Sequence, residues 1–360
     1  MSKDVYDVAV IGLGGIGSAA AWALTRAGLD VVGLDQYNPP HTKGSSHGDT
    51  RIIRKAVFEG GIYKSFITRS YELWKELEEE SEEQLLVESP GIIIGARGGE
   101  FLAQSLALIG EDKLLTNQQV AEKYPFLQLE SDEAVAIDND AGYLLIEKCI
   151  KAFLKRGFDT RTNCELQEVQ AKEDYHVLRT SKGVLQARWV VYALGGWSKD
   201  ALDVELPMEL LQKTLCWTRY TGDKAPLLMY EHPLRGDVYS FPQINESVKF
   251  ARHYKGESFR AMNERARLGH EDTKDTYELL HRLLPFLKNG IQEQKDCVYS
   301  MTSDEHFIID KHPRKPRTLI LSGFSGHGYK YAPAIGEAVT QHITKNQPLP
   351  AAFALARFKK

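Results

Sequence analysis

The chain has 360 residues, of which 42% are hydrophobic and 26% are charged. This length suggests about two domains or one large elaborated domain, and the composition is that of a globular protein rather than a disordered one. The net charge of −4 gives no general attraction for nucleic acid or for an anionic membrane. We therefore expect neither a nucleic-acid partner nor membrane association.

Four cysteines are scattered through the sequence without the spacing of a zinc site or of a secreted disulfide framework. They are Cys149, Cys164, Cys216 and Cys297. The uncharged stretch 8–25 is interrupted by glycines and is not followed by a small-residue cleavage site, so it does not fit a signal peptide or a membrane span. The sequence predicts a cytoplasmic protein without a metal site.

The first predicted elements in chain order form a βαβ unit. The apolar run Val5–Ile11 predicts a strand, the composition of Ser18–Ala27 predicts a helix, and Asp30–Leu34 predicts a second strand. Between the first strand and the helix stands a glycine-rich turn with the sequence Gly-Leu-Gly-Gly-Ile-Gly. This context indicates a dinucleotide-binding motif rather than a chance turn.

Each glycine and the acidic residue of such a motif have a physical role. Gly12 permits the tight turn, Gly14 lets the backbone approach a pyrophosphate, and Gly17 allows the helix to pack closely on the strand. The phosphates then lie at the helix N-terminus. Asp35, at the end of the second strand, is expected to accept hydrogen bonds from the ribose hydroxyls. The motif does not distinguish FAD from NAD.

Beyond this unit, apolar residues at helical spacing predict a helix through Phe66–Leu77 and another through Ile146–Leu154, and Gly91–Gly95 predicts a strand. Two pairs of alternating segments flank turn residues and predict antiparallel hairpins. The pairs are His176–Thr180 with Val184–Ala193, and Val238–Phe241 with Val248–His253. This order predicts a nucleotide-binding domain interleaved with a domain rich in β-sheet.

Two further segments carry chemical signals that have more than one interpretation. The loop Pro39–Arg54 is rich in Gly, Ser and basic residues, which suits an anion site or a polar surface loop whose arginines pair with nearby acids. The segment Gly323–Lys330 follows the strand-like Thr318–Leu321, and its three glycines suit close approach to a ligand or a plain turn. Neither segment alone defines a function.

Together these segments resemble the family of monomeric sarcosine oxidase and N-methyltryptophan oxidase, flavoenzymes of the D-amino-acid-oxidase superfamily. The resemblance runs along most of the chain. Its most specific pieces are Pro39–Arg54, Gly323–Lys330, the segment Ser303–Asp310, and Cys297 six residues before Ser303.

The resemblance implies a fold class and a domain organisation. The fold class is an α/β Rossmann-type FAD-binding domain interleaved with an α+β catalytic domain that contains a mainly antiparallel sheet, which covers the flavin. The implied FAD-binding domain comprises residues 1–86, 142–215 and 296–360, and the implied catalytic domain comprises residues 87–141 and 216–295.

The same resemblance assigns roles to single residues. Cys297 matches the residue that is joined through its sulfur to the 8α-methyl carbon of the flavin, although composition alone favours a small buried hydrophobe for such a cysteine. Lys249 matches a lysine that promotes oxygen reduction, and His253 matches a histidine of the substrate pocket. The alternative for Lys249 is an ordinary exposed strand lysine, and burial distinguishes the two because a lysine is costly to bury without a task.

The remaining matches complete the implied site. Lys249, His253 and Arg51 are implied to be catalytic, and Arg54, Lys330 and Tyr239 to bind substrate. The implied cofactor-binding residues are Gly12, Gly14, Gly17, Asp35, His47, Thr50, Arg51, Gly195, Cys297, Gly326, Gly328 and Lys330.

The sequence also departs from the family pattern near the implied substrate pocket. After the second arginine of the loop, relatives usually read His-Ala-Tyr-Gly-Glu-Gly, whereas Lys55–Gly60 reads Lys-Ala-Val-Phe-Glu-Gly. A tyrosine at the pocket entrance is therefore missing. The span from Arg54 to Tyr239 and the tail after Lys330 are also shorter than in familiar members. These departures concern the substrate more than the cofactor.

The sequence therefore predicts a monomeric flavoprotein oxidase of secondary amino acids, N-methyl or cyclic. Hydride leaves the carbon next to nitrogen to give an imine, and molecular oxygen then reoxidises the flavin to yield hydrogen peroxide. One alternative is a related dehydrogenase that passes electrons to a carrier, and another is an oxidase of primary amines such as glycine or D-amino acids. A third is a catalytically silent dinucleotide-binding sensor, which leaves the basic residues and Cys297 unexplained.

Overall fold

A computed structural model describes residues 5–57, 61–254, 256–265 and 271–358. Within these ranges the chain forms two eight-stranded sheets and one three-stranded sheet, with α-helices packed on them. The described residues contain no helix with the length and apolar character that a membrane span requires.

The first large sheet is mainly parallel and has β1 (Tyr6–Ile11) near its centre. On either side of β1 lie β2 (Val31–Leu34) and β11 (Gly183–Tyr192), both parallel to it. The sheet continues in parallel with β8 (Asp159–Arg161) beside β2 and with β19 (Thr318–Ser322) beside β11. The predicted βαβ unit is confirmed, and it forms the middle of this sheet.

Antiparallel strands complete the first sheet. β18 (Ile308–Lys311) pairs with β19 at one edge. β10 (His176–Thr180) pairs with the first half of β11, and β9 (Leu166–Ala171) pairs with β10. The first predicted hairpin is thus confirmed, but its second strand runs on into the parallel part of the sheet, where Ala187 to Tyr192 face β1.

Four helices pack against one another beside this sheet. They are α1 (Gly15–Arg26), α2 (Gly61–Ser81), α5 (Ile146–Leu154) and α8 (Ala332–Lys345). The packing of α8 on α1 is close, because a Cβ atom at Gly336 would lie 2.6 Å from a backbone oxygen of α1. Their buried faces share one apolar core with the first sheet, so the helix N-terminus that follows β1 is held firmly.

The second large sheet is mainly antiparallel, with one parallel pair between β13 and β5. Its strands in spatial order are β16 (Glu257–Phe259), β12 (Met208–Arg219), β15 (Ser247–Ala251), β14 (Gly236–Ser240), β13 (Leu227–His232), β5 (Gly91–Ala96) and β6 (Glu133–Asp138), and β17 (Glu293–Thr302) runs along the other edge of β12. The pairing of β14 with β15 confirms the second predicted hairpin. The longest ladder joins β12 to β17 in an unbroken register from Met208 to Trp217.

In the described part of the chain, three helices accompany the second sheet: α3 (Glu100–Ile109), α4 (Asn117–Lys123) and α7 (Glu271–Leu283). A further one-turn helix, α6 (Ser198–Ala201), follows β11. Residues of α4 and α7 pack with the strands in a core of their own. A further apolar core is shared by the two large sheets, because Met208, Leu210 and Val298 of the second sheet pack with residues of the first.

A small sheet connects these cores. It consists of β3 (Thr50–Ile53), β7 (Gly142–Leu145) and β4 (Leu86–Glu88), all antiparallel. Alternate residues of β3 face opposite sides, so Ile53 lies in the core of the first sheet while Ile52 packs against the second. The segment Pro39–Arg54, called the basic loop below, runs into β3 and is thereby placed between the two large sheets.

Candidate active site

A cavity of about 500 Å³ lies at the carboxyl ends of the parallel strands β1, β2 and β11. This is the edge where α/β sheets bind nucleotides. Its lining extends from the glycine-rich turn and Asp35 to residues of β17. Site residues predicted from the sequence that line it are Gly12, Gly14, Asp35, Arg51, Gly195, Cys297, Gly326 and Gly328.

The glycines of the first turn have distinct structural reasons. Gly12 has a φ of +93°, and a Cβ atom at Gly17 would lie only 1.8 Å from the carbonyl oxygen of Gly12. At Gly14, by contrast, the nearest atom to an added Cβ is the Ser46 hydroxyl at 3.5 Å. Gly12 and Gly17 are therefore required by the packing of the turn, whereas Gly14 presents bare backbone to the cavity.

Asp35 ties the end of β2 to the glycine-rich turn. Its Oδ2 accepts a hydrogen bond from the Leu13 amide at 2.8 Å, and its Oδ1 accepts one from the Tyr37 amide at 2.8 Å. The His41 Nε2 lies 3.5 Å from Oδ1. Because a carboxylate has about four acceptor sites, these contacts still permit the predicted bonds to a ribose.

The basic loop is fastened to both sides of the cavity. Ser46 Oγ accepts from the Gly15 amide at 3.0 Å, and Ser45 Oγ donates to the carbonyl of Val298 on β17 at 2.6 Å. Arg51 donates to the carbonyls of Thr50 and Ser45 at 2.8 and 2.7 Å. The loop is thus a wall of the cavity rather than a surface loop, and Arg51 bonds to backbone instead of to an acid.

Cys297 is only 1% exposed and lines the cavity from β17. Arg51 Nη2 donates to its Sγ at 3.4 Å, and the Ser45 carbonyl oxygen lies 3.6 Å from the same sulfur. The sulfur therefore has a fixed position beside a cation. The predicted bond to a flavin stays a prediction, since a buried thiol also suits a small apolar role.

Lys249 is buried, with only 3% of its surface exposed. Its ammonium donates to the carbonyls of Gly48 and Thr50 at 2.5 and 2.6 Å, with Thr50 Oγ1 at 3.4 Å, and it lies 4.8 Å from the ring centroid of Phe241. Burial and the nearby Arg51 hold its pKa well below the usual lysine value. The alternative of an exposed strand lysine is therefore excluded, while its role with oxygen stays a prediction.

His47 is an unusual buried group in the same wall. It is 1% exposed, and neither of its ring nitrogens has a hydrogen-bond partner among the described residues. Burial, together with the cations Arg51 and Lys249, lowers its pKa to about 3. Such an imidazole is uncharged at neutral pH, and its nitrogens are suited to a polar ligand.

His253 follows β15 and is held through its backbone, because its amide donates to the Asp237 carboxylate. Burial lowers the pKa of His253 to about 3, with contributions from Lys213, His327, Lys330 and Arg54. The imidazole is therefore neutral near pH 7. Lys213 Nζ donates to the His253 carbonyl at 2.7 Å and fixes the next peptide unit.

The two cations predicted to hold a carboxylate come from distant segments and both act on His253. Arg54 Nη1 lies 3.5 Å from the sulfur of Met229. Lys330 is buried, donates to the His327 carbonyl at 3.1 Å and lies 4.7 Å from the Tyr331 ring. This arrangement gives the surroundings of His253 a positive character.

Sequence reasoning missed Tyr299, which connects the cavity with the surroundings of His253. Its hydroxyl lies 3.5 Å from His253 Nδ1, it interacts with Tyr239, and it lines the same cavity as Cys297. Its ring also explains Gly326, where a Cβ atom would lie 2.3 Å from that ring. The sequence contained a signal for Tyr299, because it stands two residues after Cys297 on one strand and such residues face the same side.

The segment Lys55–Gly60, where the sequence departs from the family pattern, lies only partly within the described residues. Val57 is buried, with 4% of its surface exposed, whereas residues 58–60 lie outside the described ranges. In the family pattern given above, the tyrosine stands at the position of Val57, so a buried valine occupies that position here.

The residues present fit a dinucleotide. Gly14 offers bare backbone at a helix N-terminus, and His47 offers two unpartnered ring nitrogens. The cavity joins Gly14 to Arg51 and Cys297. A flavin would be held by the glycine-rich turn and Asp35 at one end and by the basic loop and β17 at the other.

The fold and the site define an FAD-dependent oxidoreductase, and the comparison with known families shows this directly. The family model for FAD dependent oxidoreductase (DAO) matches residues 7–342. The chain belongs to this family.

Two groups of relatives narrow the assignment. Monomeric sarcosine oxidase of Bacillus sp. (strain NS-129) is 30% identical, over 94% of this chain and 93% of its own. N-methyl-L-tryptophan oxidase of Escherichia coli (strain SMS-3-5 / SECEC) is 32% identical, over 92% of this chain and 93% of its own. The predicted resemblance is confirmed, and the chain is an FAD-dependent amine oxidoreductase of the family that contains both enzymes.

Solved structures show the same fold at lower identity. NikD, an unusual amino acid oxidase essential for nikkomycin biosynthesis, superposes in its open form with a TM-score of 0.86 at 17% identity, and 98% of each chain is covered. L-proline dehydrogenase from P. horikoshii gives a TM-score of 0.85 at 20% identity, over 99% of this chain and 98% of its own. The predicted fold class is confirmed at the level of this fold and its mixed sheets.

Proposed function

We propose that the protein is an oxidase of secondary amino acids, N-methyl or cyclic, that produces an imine and hydrogen peroxide. The observation that carries this proposal is the contact of Tyr299 with His253, 3.5 Å from the hydroxyl to Nδ1, because Tyr299 also lines the cavity that contains Arg51 and Cys297. When bound, the flavin supplies the acceptor for the hydride and the route of electrons to oxygen.

In this proposal, the cations Arg54 and Lys330 bind the substrate carboxylate. A carboxylate that enters a buried site loses its hydration, and charge-assisted hydrogen bonds must replace it. A guanidinium offers a planar pair of donors and an ammonium offers a point charge, so Arg54 and Lys330 together suit such a group. Tyr239 and Tyr299, which interact with each other beside Arg51, then form an aromatic wall of the same space.

His253 suits the reacting amine. Its pKa of about 3 leaves it uncharged, so it can accept a hydrogen bond from an N–H group without repelling a cationic nitrogen. The two peptide units that flank the His253 Cα atom are held by Asp237 and Lys213, which fixes the backbone that carries the imidazole. The chain thereby orients the amine, while the carboxylate is held by separate groups.

Lys249 and Arg51 suit the oxygen step. A preorganised cation in a site that excludes water stabilises the negative charge that develops on oxygen as it is reduced. Lys249 is buried and fixed by two carbonyls, so it meets this requirement. The Cys297 sulfur, held beside Arg51, is the proposed point of covalent attachment of the flavin.

The wider organisation follows the family. We propose that the first sheet belongs to the FAD-binding domain and most of the second to the catalytic domain, interleaved with the boundaries given above, which divide β12 after residue 215 and β17 after residue 295. We further propose that the protein acts as a monomer in the cytoplasm, with an amino acid and molecular oxygen as its small-molecule partners.

A matched substrate panel tests the function. Peroxide release and flavin bleaching without oxygen are measured with sarcosine against glycine, N-methyl-L-tryptophan against L-tryptophan, and pipecolate against D-alanine. Peroxide with the secondary amines alone supports the proposal. Activity restricted to primary amines, or bleaching followed by electron transfer to an artificial carrier without oxygen uptake, replaces it by one of the alternatives. No bleaching with any compound favours the sensor.

A further inference from the structure

The acceptors of Lys249 are two carbonyls that flank a single residue, Asp49. Because Nζ lies 2.5 Å from the Gly48 oxygen and 2.6 Å from the Thr50 oxygen, the two oxygens are at most about 5 Å apart. In an extended strand, carbonyls two residues apart are separated by about 6.7 Å. The segment must therefore turn at Asp49, and its φ is +66°.

Asp49 is held in this left-handed conformation by neighbours from two elements. Its Oδ2 accepts from the Trp217 indole at 2.8 Å, and its carbonyl oxygen accepts from the Ile146 amide at 2.9 Å. Trp217 faces Lys249 directly across the β12–β15 pair. The indole, the turn and the ammonium thus form a closed ring of contacts.

Glu147 fastens the same turn from α5. Its Oε1 accepts from the Gly48 amide at 2.9 Å and from the Asp49 amide at 3.3 Å. With both amides directed toward Glu147, the Gly48 carbonyl is directed away from it, toward Lys249. Glu147 therefore fixes the peptide unit that carries the Gly48 carbonyl, while the Asp49 carboxylate holds the turn through the Trp217 indole.

These carboxylates also set the charge around the ammonium. Burial disfavours the protonated form of Lys249, and so does Arg51 on β3. His47 is neutral at pH 7 and therefore adds no charge. Asp49 from the loop, Cys297 from β17 and Glu147 from α5 favour protonation. Trp217 and Phe241, which pack on the lysine from β12 and after β14, carry no charge.

We infer that Asp49 and Glu147 are positioning residues that hold the turn between Gly48 and Thr50 and keep Lys249 protonated where the oxygen step runs. This inference rests on the proposed function, because that function gives Lys249 its task. It adds two acidic residues to a site that the sequence described through its basic ones.

Isosteric variants separate charge from shape. Asp49→Asn keeps an acceptor for the indole and a residue type that tolerates a positive φ, but it removes the charge. Glu147→Gln likewise keeps an acceptor oxygen. Trp217→Phe keeps both charges and removes the indole donor, and Glu278→Gln, at an exposed position on α7, is the control.

The primary readout is the protonation of Lys249 in the isolated flavoprotein. Its side-chain carbon signal is followed by NMR against pH with ¹³C-labelled lysine, and its absence in Lys249→Met assigns it. Removing one nearby opposite charge should move the midpoint to lower pH by about one unit in Asp49→Asn and in Glu147→Gln. Trp217→Phe and Glu278→Gln should leave the midpoint in place.

The second readout is flavin reoxidation by oxygen, measured by stopped flow over the same pH range. Its decline at high pH should move with the NMR midpoint in both charge variants, while reduction by substrate keeps its pH profile. Trp217→Phe should lower the plateau rate without moving the decline.

Unchanged midpoints in Asp49→Asn and Glu147→Gln would overturn the inference. A normal reoxidation rate in Lys249→Met would instead refute the proposed role of Lys249, and the NMR midpoints would still judge the inference separately. If Asp49→Asn yields no folded protein, Glu147→Gln alone decides.

Discussion

The Arg51 guanidinium and the Cys297 sulfur lie in contact, 3.4 Å from Nη2 to Sγ, although the two residues are 246 positions apart in sequence. Arg51 is itself fixed by the carbonyls of Thr50 and Ser45. The contact therefore joins the basic loop to β17 at the cavity and fixes the position of the sulfur.

The first prediction concerns covalent attachment of the flavin. A thioether at Cys297 survives unfolding, so acid-precipitated wild-type protein should retain yellow colour in the pellet, and Cys297→Ala should release all flavin into the supernatant. Cys216→Ala removes a buried cysteine on β12 that lies in another core, and it should behave as wild type. Free flavin from the wild-type protein, or colour retained in the Cys297→Ala pellet, would refute the attachment.

The second prediction concerns Lys249. Lys249→Met should slow flavin reoxidation by about 100-fold or more, the scale for loss of one preorganised stabilising group, and should slow reduction by substrate far less. Stopped-flow measurement of each half-reaction checks this, with the exposed Lys224→Met as control. Equal slowing of both half-reactions would assign Lys249 a general structural role.

The third prediction concerns the substrate carboxylate. Arg54→Ala and Lys330→Ala should each weaken binding of a simple carboxylate inhibitor by about 2 kcal/mol or more, the scale for loss of a charged hydrogen bond. Titration followed by flavin absorbance measures this. Lys55→Ala should change affinity little, because Lys55 is exposed and pairs with Asp140 at 3.1 Å. Wild-type affinity in the first two variants would count against carboxylate binding there.

The fourth prediction separates two glycines of one turn. A Cβ atom at Gly17 would overlap the Gly12 oxygen, so Gly17→Ala should lower the free energy of unfolding by about 1–3 kcal/mol, the scale of overpacking. Gly14→Ala has room and should keep that stability but lose flavin. Urea unfolding and flavin content test the pair. Equal stability losses in both variants would show that Gly14 is also a packing position.

The fifth prediction is a pH dependence caused by His47. Its pKa falls from 6.5 when unfolded to about 3 when folded, so between these values the unfolded state binds more protons. Acidification through this window should lower the free energy of unfolding, by at most about 1.4 kcal/mol per pH unit from this group. His47→Asn should flatten that slope, whereas His281→Asn, at a half-exposed position, should not. Identical slopes in wild type and His47→Asn would show that His47 does not contribute.

The sequence predicted the elements whose signals are local. The βαβ unit followed from glycines that the turn needs, although α1 begins at Gly15, earlier than the predicted Ser18, because small residues form its first turn. The hairpin of β10 and β11 followed from alternation. The parallel pairing of β11 with β1 and β19 was not predictable, because residue spacing does not encode partners more than a hundred residues away.

The site shows the same division. Cys297, Lys249 and the basic loop were identified from family motifs, and the structure brings Arg51 to Cys297 and Lys249 to the loop. The acceptors of Lys249 were not predictable, since backbone carbonyls leave no mark in a sequence. Asp49 and Glu147 act through contacts with backbone amides and an indole, which no spacing rule connects.

β12 has a consequence for how this protein can vary. Its ladders place Lys213 opposite Cys297 on one side and Trp217 opposite Lys249 on the other. Since the two β12 positions are an even number of residues apart, Cys297 and Lys249 face the same side of the sheet, offset by about 13 Å along the strand. Inserting or deleting one residue between those positions would turn one of them away. Unlike the loops elsewhere in the chain, the part of β12 between these two positions therefore cannot change its length by a single residue.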